Sequence, residues 1–313
     1  FWSDFVRKYR WWYILGIICL VLTNILTVAI PKFIEYAIDS LGKSSTTSST
    51  ADFALAIILC GFGIIIVRTL SRTLFFNPGR TVEFDVKSQL FKHLVTQPQR
   101  FFDTNRPGDL ISRGTNDVNS MRALIGFGTL QLFNVVFVLS LTLTQMFWID
   151  RHLTMLVLVP LTLGGVFMGI AVKKLFALVV RLLKQLGHLS DRILESYSGV
   201  AVIQSYDAFA AANQRFDERN DEFLEISISM LKIRSFLMPI VALVGELCVV
   251  VVLFVGGHKV IEDGSAFTLG QLSAFIAYIT ILVNGLRSLG FLVGATQRGY
   301  LALGRIYEIL DQS

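Results

Sequence analysis

Residues 101–121 read FFDTNRPGDLISRGTNDVNSM. The chain around them is 53% hydrophobic and only 16% charged. This stretch nevertheless holds Asp103, Arg106, Asp109, Arg113 and Asp117, together with Pro107, Gly108 and Gly114. Soluble domains usually carry about a quarter charged residues, so the composition reads as a membrane protein. A polar segment interrupted by proline and glycine then belongs outside the bilayer, between two long helical patterns.

Runs free of Asp, Glu, Lys and Arg occur at residues 11–30, 53–67, 124–149, 153–172 and 268–286, and a sixth, 236–257, is broken only by Glu246. A helix needs about 20 apolar residues to cross a bilayer. The short second run continues in helix-compatible pattern past Arg68, so six spans are expected, with both termini on one side. Lys43, in the Ser/Thr-rich tip of the first link, Arg151 and Lys259 are the three Lys or Arg counted at the turns of the three short links. The opposite side carries three before span one, seven over residues 80–122, nine over residues 173–234 and two after span six. Positive charge favours the cytoplasmic side. The expectation is therefore a multi-pass protein of the cell (inner) membrane with cytoplasmic termini. The basic residues follow the membrane topology, which argues against a nucleic-acid partner. Residues 1–13 alternate aromatics with Arg7, Lys8 and Arg10 in the manner of an interfacial helix. Cys19, Cys60 and Cys248 sit in apolar runs without metal-like spacing, and the four histidines are scattered, so no metal site is expected.

The two long connections read as helices rather than loops. From Phe84 on, residues 81–97 place apolar side chains at amphipathic spacing. Residues 52–97, taken as helix with a kink at Pro78–Gly79, would extend roughly 70 Å, against a hydrocarbon core of about 30 Å. Residues 173–196 and 210–234 are likewise proline-free and rich in helix formers. Each pair of extensions meets at a break. In the first, Asp109 is placed to start a short helix, Leu110 and Ile111 form its apolar face, Arg113 pairs with Asp109 one turn on, and Gly114 ends it. In the second, Gly199 interrupts the descent, and Val202, Ile203, Tyr206 and Phe209 form an apolar, aromatic face. Two such knobs about 40 Å from the bilayer suit docking of another protein domain.

Three patches carry a likeness: RFFDTNRPGDLISRGTNDVNSMR, ILESYSGVAVIQSYDAFAAANQRF, and LGQLSAFIAYITIL through RIYEILD. At these residues the chain resembles the transmembrane domain of ATP-binding cassette (ABC) exporters, the half-transporters of the multidrug and lipid flippase kind. The resemblance covers essentially the whole chain. It implies an all-α domain over residues 1–313, with an elbow helix at 1–13 and intracellular loops at 80–122 and 173–234. It also implies two coupling helices that dock on nucleotide-binding domains, and a homodimer or heterodimer in which the second loop reaches the partner's ATPase domain. Glycine stands at 285, where such proteins commonly have proline, and Asp207–Ala208–Phe209 follow Tyr206, where glycine and an acidic residue are common. No G-x-x-x-x-G-K-[ST] phosphate loop occurs. ATP and Mg are thus expected on a domain after Ser313 or on a separate chain, with no ATP hydrolysis by this chain alone.

Ionisable residues within spans are candidates for a translocation cavity. Glu246 lies near the middle of its run and Arg287 at the cytoplasmic end of span six. Gln131 and Asn134, with Asn24, add polar groups that interhelical hydrogen bonding would equally explain. Lys32, Glu35 and Asp39, near the outer end of span one, are expected to be solvated. The reading that follows is an ATP-driven exporter of amphipathic drugs, lipids or peptides working by alternating access. The alternatives are a secondary transporter or channel, which would show inverted repeats and broken helices, or a membrane-anchored scaffold.

Overall fold

The computed structural model describes residues 9–42, 47–105, 107–262 and 267–311. The expected elbow helix falls mostly on residues 1–8, outside the described residues, as do Lys43 and Arg106. The described residues are helical almost throughout, without strands. Six helices among them are long and apolar enough to cross a membrane.

In chain order the helices are α1 (Arg10–Gly42), α2 (Thr47–Thr96), α3 (Gln99–Thr104), α4 (Pro107–Ile149), α5 (Arg151–Ser198), α6 (Val200–Ser205), α7 (Phe209–Glu262) and α8 (Leu269–Leu310). Their lengths follow from the residues. At 1.5 Å per residue, α2 measures about 75 Å, more than twice the hydrocarbon core. Pro78 lies inside α2, and helical geometry runs through it without a stop. The chain divides into two units, Phe1–Val159 with Leu247–Ser313, and Pro160–Glu246.

In the first unit α1 lies along α2, and α8 packs against α1 and α4. Within the apolar spans there is little hydrophobic driving force between helices, so close fit and polar contacts hold them together. Asn24 donates to Asn134 across α1 and α4 at 3.2 Å, and Tyr278 donates its hydroxyl to the Val28 carbonyl at 3.1 Å. At the C-terminal end of α1 Asp39 accepts from the Thr268 hydroxyl (2.8 Å) and the Gly270 amide (3.0 Å), which pins α1 onto the start of α8. Thr268 and Gln271 form a reciprocal capping box there. A side chain at Gly270 would stand 2.4 Å from the Glu35 carbonyl, so the position requires glycine. Glu35 is buried and ion-paired with Lys32, and Asp39 is engaged. The expectation that these residues are solvated is therefore corrected.

Beyond the apolar run the same unit is packed as a soluble protein would be. Val82, Val86 and Leu90 of α2 form one buried stripe against Phe101, Leu110, Val118, Met121, Ile306 and Ile309. Here water surrounds the extensions, so burial of apolar surface drives the assembly. In the second unit the two long helices approach closely where Gly164 faces Val244. Most of their remaining surface is uncovered within the chain.

Candidate functional site

The first tip differs from its expected form. Pro98 and Asn105, both in extended conformation, bound a separate short helix, α3, over Gln99–Thr104. The break in the chain therefore falls before Pro107. Gly114 does not end a helix: α4 runs on through a π-helical turn at Arg113–Asp117 and a second at Leu124–Gly128. Pro107 suits the first turn, where an amide has no intrahelical partner. Asp117 takes helical φ and ψ and caps nothing with its side chain.

Leu110 is also corrected. It is turned inward and buried with Phe101 and Ile306, whereas Ile111, one residue on, is exposed. The reason is helical phase. Because α4 is continuous, Leu110, Val118, Met121 and Ile125 lie on the face that meets α2 and α8.

Asp109 and Arg113 form the expected pair, at 2.8 Å, inside a larger network. Arg113 also donates to the Arg305 carbonyl (2.7 Å) and to Glu308 (3.1 Å). Arg305 in turn donates to Asp109 at 2.8 Å and lies 3.3 Å from Asp117 Oδ2. Burial pushes the Asp117 carboxyl above its usual range, and the charges of Arg305 and Arg113 oppose that shift. The start of α4 is thus clamped to the last turns of α8. Sequence reasoning passed over Arg305 and Glu308, because partners some 190 residues away have no local spacing signal.

The second tip is open. Gly199 precedes α6, whose Val200 and Val202 are exposed, and Ile203 is half-buried. Tyr206 is 81% exposed and Phe209 50%. The helix ends in a tight reversal: Ala208 N–H donates to the Ile203 carbonyl and Asp207 N–H to Gln204. Asp207 has φ 49°, the left-handed conformation for which glycine is the usual residue. Aspartate is among the few other residues that adopt it readily, which accounts for its standing where glycine is common.

The membrane candidates separate. Asn134 is bound to Asn24, the interhelical bond described above. Gln131 is half-buried. Glu246 is exposed on the second unit, away from the buried face of Val241, Val244 and Cys248 on the same helix. Arg287 is exposed on the first unit. At Gly285, where a proline kink was in question, α8 is continuous and the backbone packs against Leu139. Among the described residues no cluster of metal-ligating side chains occurs.

Six long apolar helices, with no strands among the described residues, define an α-helical multi-pass membrane domain. Residues 13–286 match the family described as the ABC transporter transmembrane region, and the chain belongs to that family. It is 28% identical over 309 residues to a probable multidrug resistance ABC transporter ATP-binding/permease protein, YheI, of Bacillus subtilis, covering 98% of this chain and 52% of the relative. It is 23% identical over 306 residues to an ATP-dependent lipid A-core flippase of Syntrophus aciditrophicus (95% and 49%). It is 28% identical over 215 residues to a fatty acid ABC transporter ATP-binding/permease protein of Mycobacterium bovis (69% and 34%). The chain spans about half the length of the first two relatives.

Proposed function

We propose that this chain is the membrane half of an ATP-driven exporter of amphipathic drugs, lipids or peptides, alternating between inward- and outward-facing states. The observation that carries the reading is the α6 tip, where Val202, Tyr206 and Phe209 are exposed at the end of a stalk. Residues 160–198 alone would measure about 58 Å as helix. A stalk of that length ending in exposed aromatic residues suits a surface that receives a nucleotide-binding domain. The first tip, where Phe101 of α3 is buried and the start of α4 is tied to α8 by the Asp109–Arg113–Arg305 network, is the second docking element. ATP and Mg act on the domain that docks there, and both chain termini are cytoplasmic, as the distribution of Lys and Arg favours.

Pairing with a second transmembrane domain, identical or not, is supported by apolar stripes left uncovered within the chain. On α2 these are Phe84, Phe91 and Val95; on α5 they include Leu183, Leu186 and Tyr197. Each recurs at helical spacing on an extension that stands in water. Exposed Glu246 fits the same picture. A carboxylate in mid-span is costly against lipid, by roughly 2.5–3.5 kcal/mol on insertion scales, and is better placed facing a water-filled cavity or the second copy. The secondary-transporter reading is not favoured, since among the described residues the apolar runs are helical without unwound segments of the kind that bind ions. The test is ATP hydrolysis by the full-length assembly in lipid. Amphipathic cargo is expected to stimulate it, and a rate indifferent to every amphiphile tested would contradict the export reading.

A further inference from the structure

We propose that the second unit holds an anionic phospholipid in a groove between α5 and α7. In this site Lys174 and Lys232 grip the phosphate, and an acyl chain lies along Phe167, Ile170, Ile233 and Phe236. The groove is open along one side and offers about 270 Å³. It is formed by one stripe from each helix: residues 167, 170, 171 and 174 recur at i, i+3, i+4 and i+7, and residues 232, 233, 236 and 237 at i, i+1, i+4 and i+5. The helices touch where Gly164 faces Val244, one to two turns deeper in the charge-free runs. The cleft therefore lies between that contact and the charged ends of the two spans.

The chemistry is graded along the groove. The lining is almost wholly apolar, the two lysines contributing their methylene stems to it, and both belong to the belt where the charge-free runs 153–172 and 236–257 give way to charge. That belt is where headgroups lie. Among the described residues the ion pairs of this unit are Arg192–Glu195 and Arg219–Glu222, and neither lysine takes part. Two cations from different helices, without a carboxylate of their own and above an apolar slot, match a negative headgroup joined to a hydrocarbon tail. Basic pockets between spans on the cytoplasmic side select such lipids. A soluble anion would leave the apolar lining wet, and a zwitterionic lipid would bring its own cation to the lysines. The leaflet rests on the sidedness proposed above; the binding itself does not.

The experiment uses the full-length protein in detergent, titrated with phosphatidylglycerol, phosphatidylcholine or inorganic phosphate, with thermal shift and lipid retention by native mass spectrometry as readouts. Phosphatidylglycerol is expected to stabilise the protein and to be retained, phosphatidylcholine much less, and inorganic phosphate not at all. In the Lys174→Gln/Lys232→Gln variant its affinity should fall on the order of tenfold or more, and the double Lys→Arg variant should keep most of it. Ile170→Trp, which fills the slot and leaves both lysines, should weaken retention independently. Equal binding of phosphatidylglycerol by the wild type and the Gln variant would overturn the proposal. So would equal stabilisation by phosphate, or retention undiminished by Ile170→Trp. Because no arm measures transport, failure here is separable from failure of the export reading.

Discussion

The two helical tips outside the apolar runs are made from similar parts and finished differently. In the first, Phe101 and Leu110 are buried, and Asp109, Arg113 and Arg305 are committed to one another. In the second, Tyr206 stands almost fully in solvent and Phe209 is half-exposed. The first tip is stabilised by its own chain. The second has apolar surface left uncovered within the chain, and hydrogen bonds at the end of α6 help fix its shape. Burying that surface on a partner releases free energy that folding of this chain does not use.

The sharpest way to break this contrast is to truncate one aromatic at each tip. Phe101→Ala removes a buried ring and should destabilise the first unit by about 3–5 kcal/mol, seen as a lower Tm and faster proteolysis between α2 and α4. Tyr206→Ala should cost under about 0.5 kcal/mol of stability while sharply reducing coupling of ATP hydrolysis to transport. If the stability losses were equal, the tips would not differ as described.

A smaller effect is expected from Arg305→Ala. It frees α8 from Asp109 and leaves the Asp117 carboxylate without its nearest cation. The Asp109–Arg305 pair is partly exposed, so solvent screens it, and about 1–2 kcal/mol is expected overall. Hydrogen exchange should rise at the end of α8 and at residues 107–117, and stay unchanged at α6. Protection lost at α6 as well would mean that the tips are not independent.

Asp207→Gly sharpens the comparison at the second tip. Glycine adopts φ 49° without the Cβ penalty, so the variant should be up to about 1 kcal/mol more stable locally, measured as slower exchange of the α6 amides.

The least effect concerns pH. Lys87, by hydrogen bonding, holds the Glu83 carboxyl below its ordinary range, aided by the charges of Arg122, Lys87 and Arg80 and opposed by partial burial. A depressed acid contributes stability above its unfolded pKa of about 4.3 and loses that contribution as pH falls through the folded value. Acidification below about pH 4 should therefore lower Tm more in the wild type than in Glu83→Gln.

Much of this architecture was legible in the residues. Charge-free runs of about 20 residues mark a span whatever surrounds them, and the asymmetry of Lys and Arg needs no three-dimensional information. The apolar face at Val202, Tyr206 and Phe209 was legible too, because Gly199 is a local break signal, whereas the reversal at Asp207 was not read. Phase was harder to read. Taking Gly114 as a stop detaches residues 109–113 from α4 and turns Leu110 outward, whereas two π-helical turns carry the helix on and bury it. Long-range partners were not legible at all. Nothing near Asp109 announces Arg305, and nothing near Asp39 announces Thr268. The capping box Thr268–Gln271 did have its local signature, a threonine followed three residues later by glutamine.

We propose above that the α6 tip is a docking surface for an ATP-hydrolysing domain. The most direct measurement places single cysteines at position 202 and, as a control, at position 110, in a full-length protein whose native cysteines are replaced, and scores crosslinks to cysteines on the nucleotide-binding domain. Val202→Cys should crosslink rapidly, to the domain carried by the partner chain, with a yield that changes on adding ATP; Leu110→Cys, buried in its own unit, should not. Crosslinking from position 110 with none from position 202 would contradict the account.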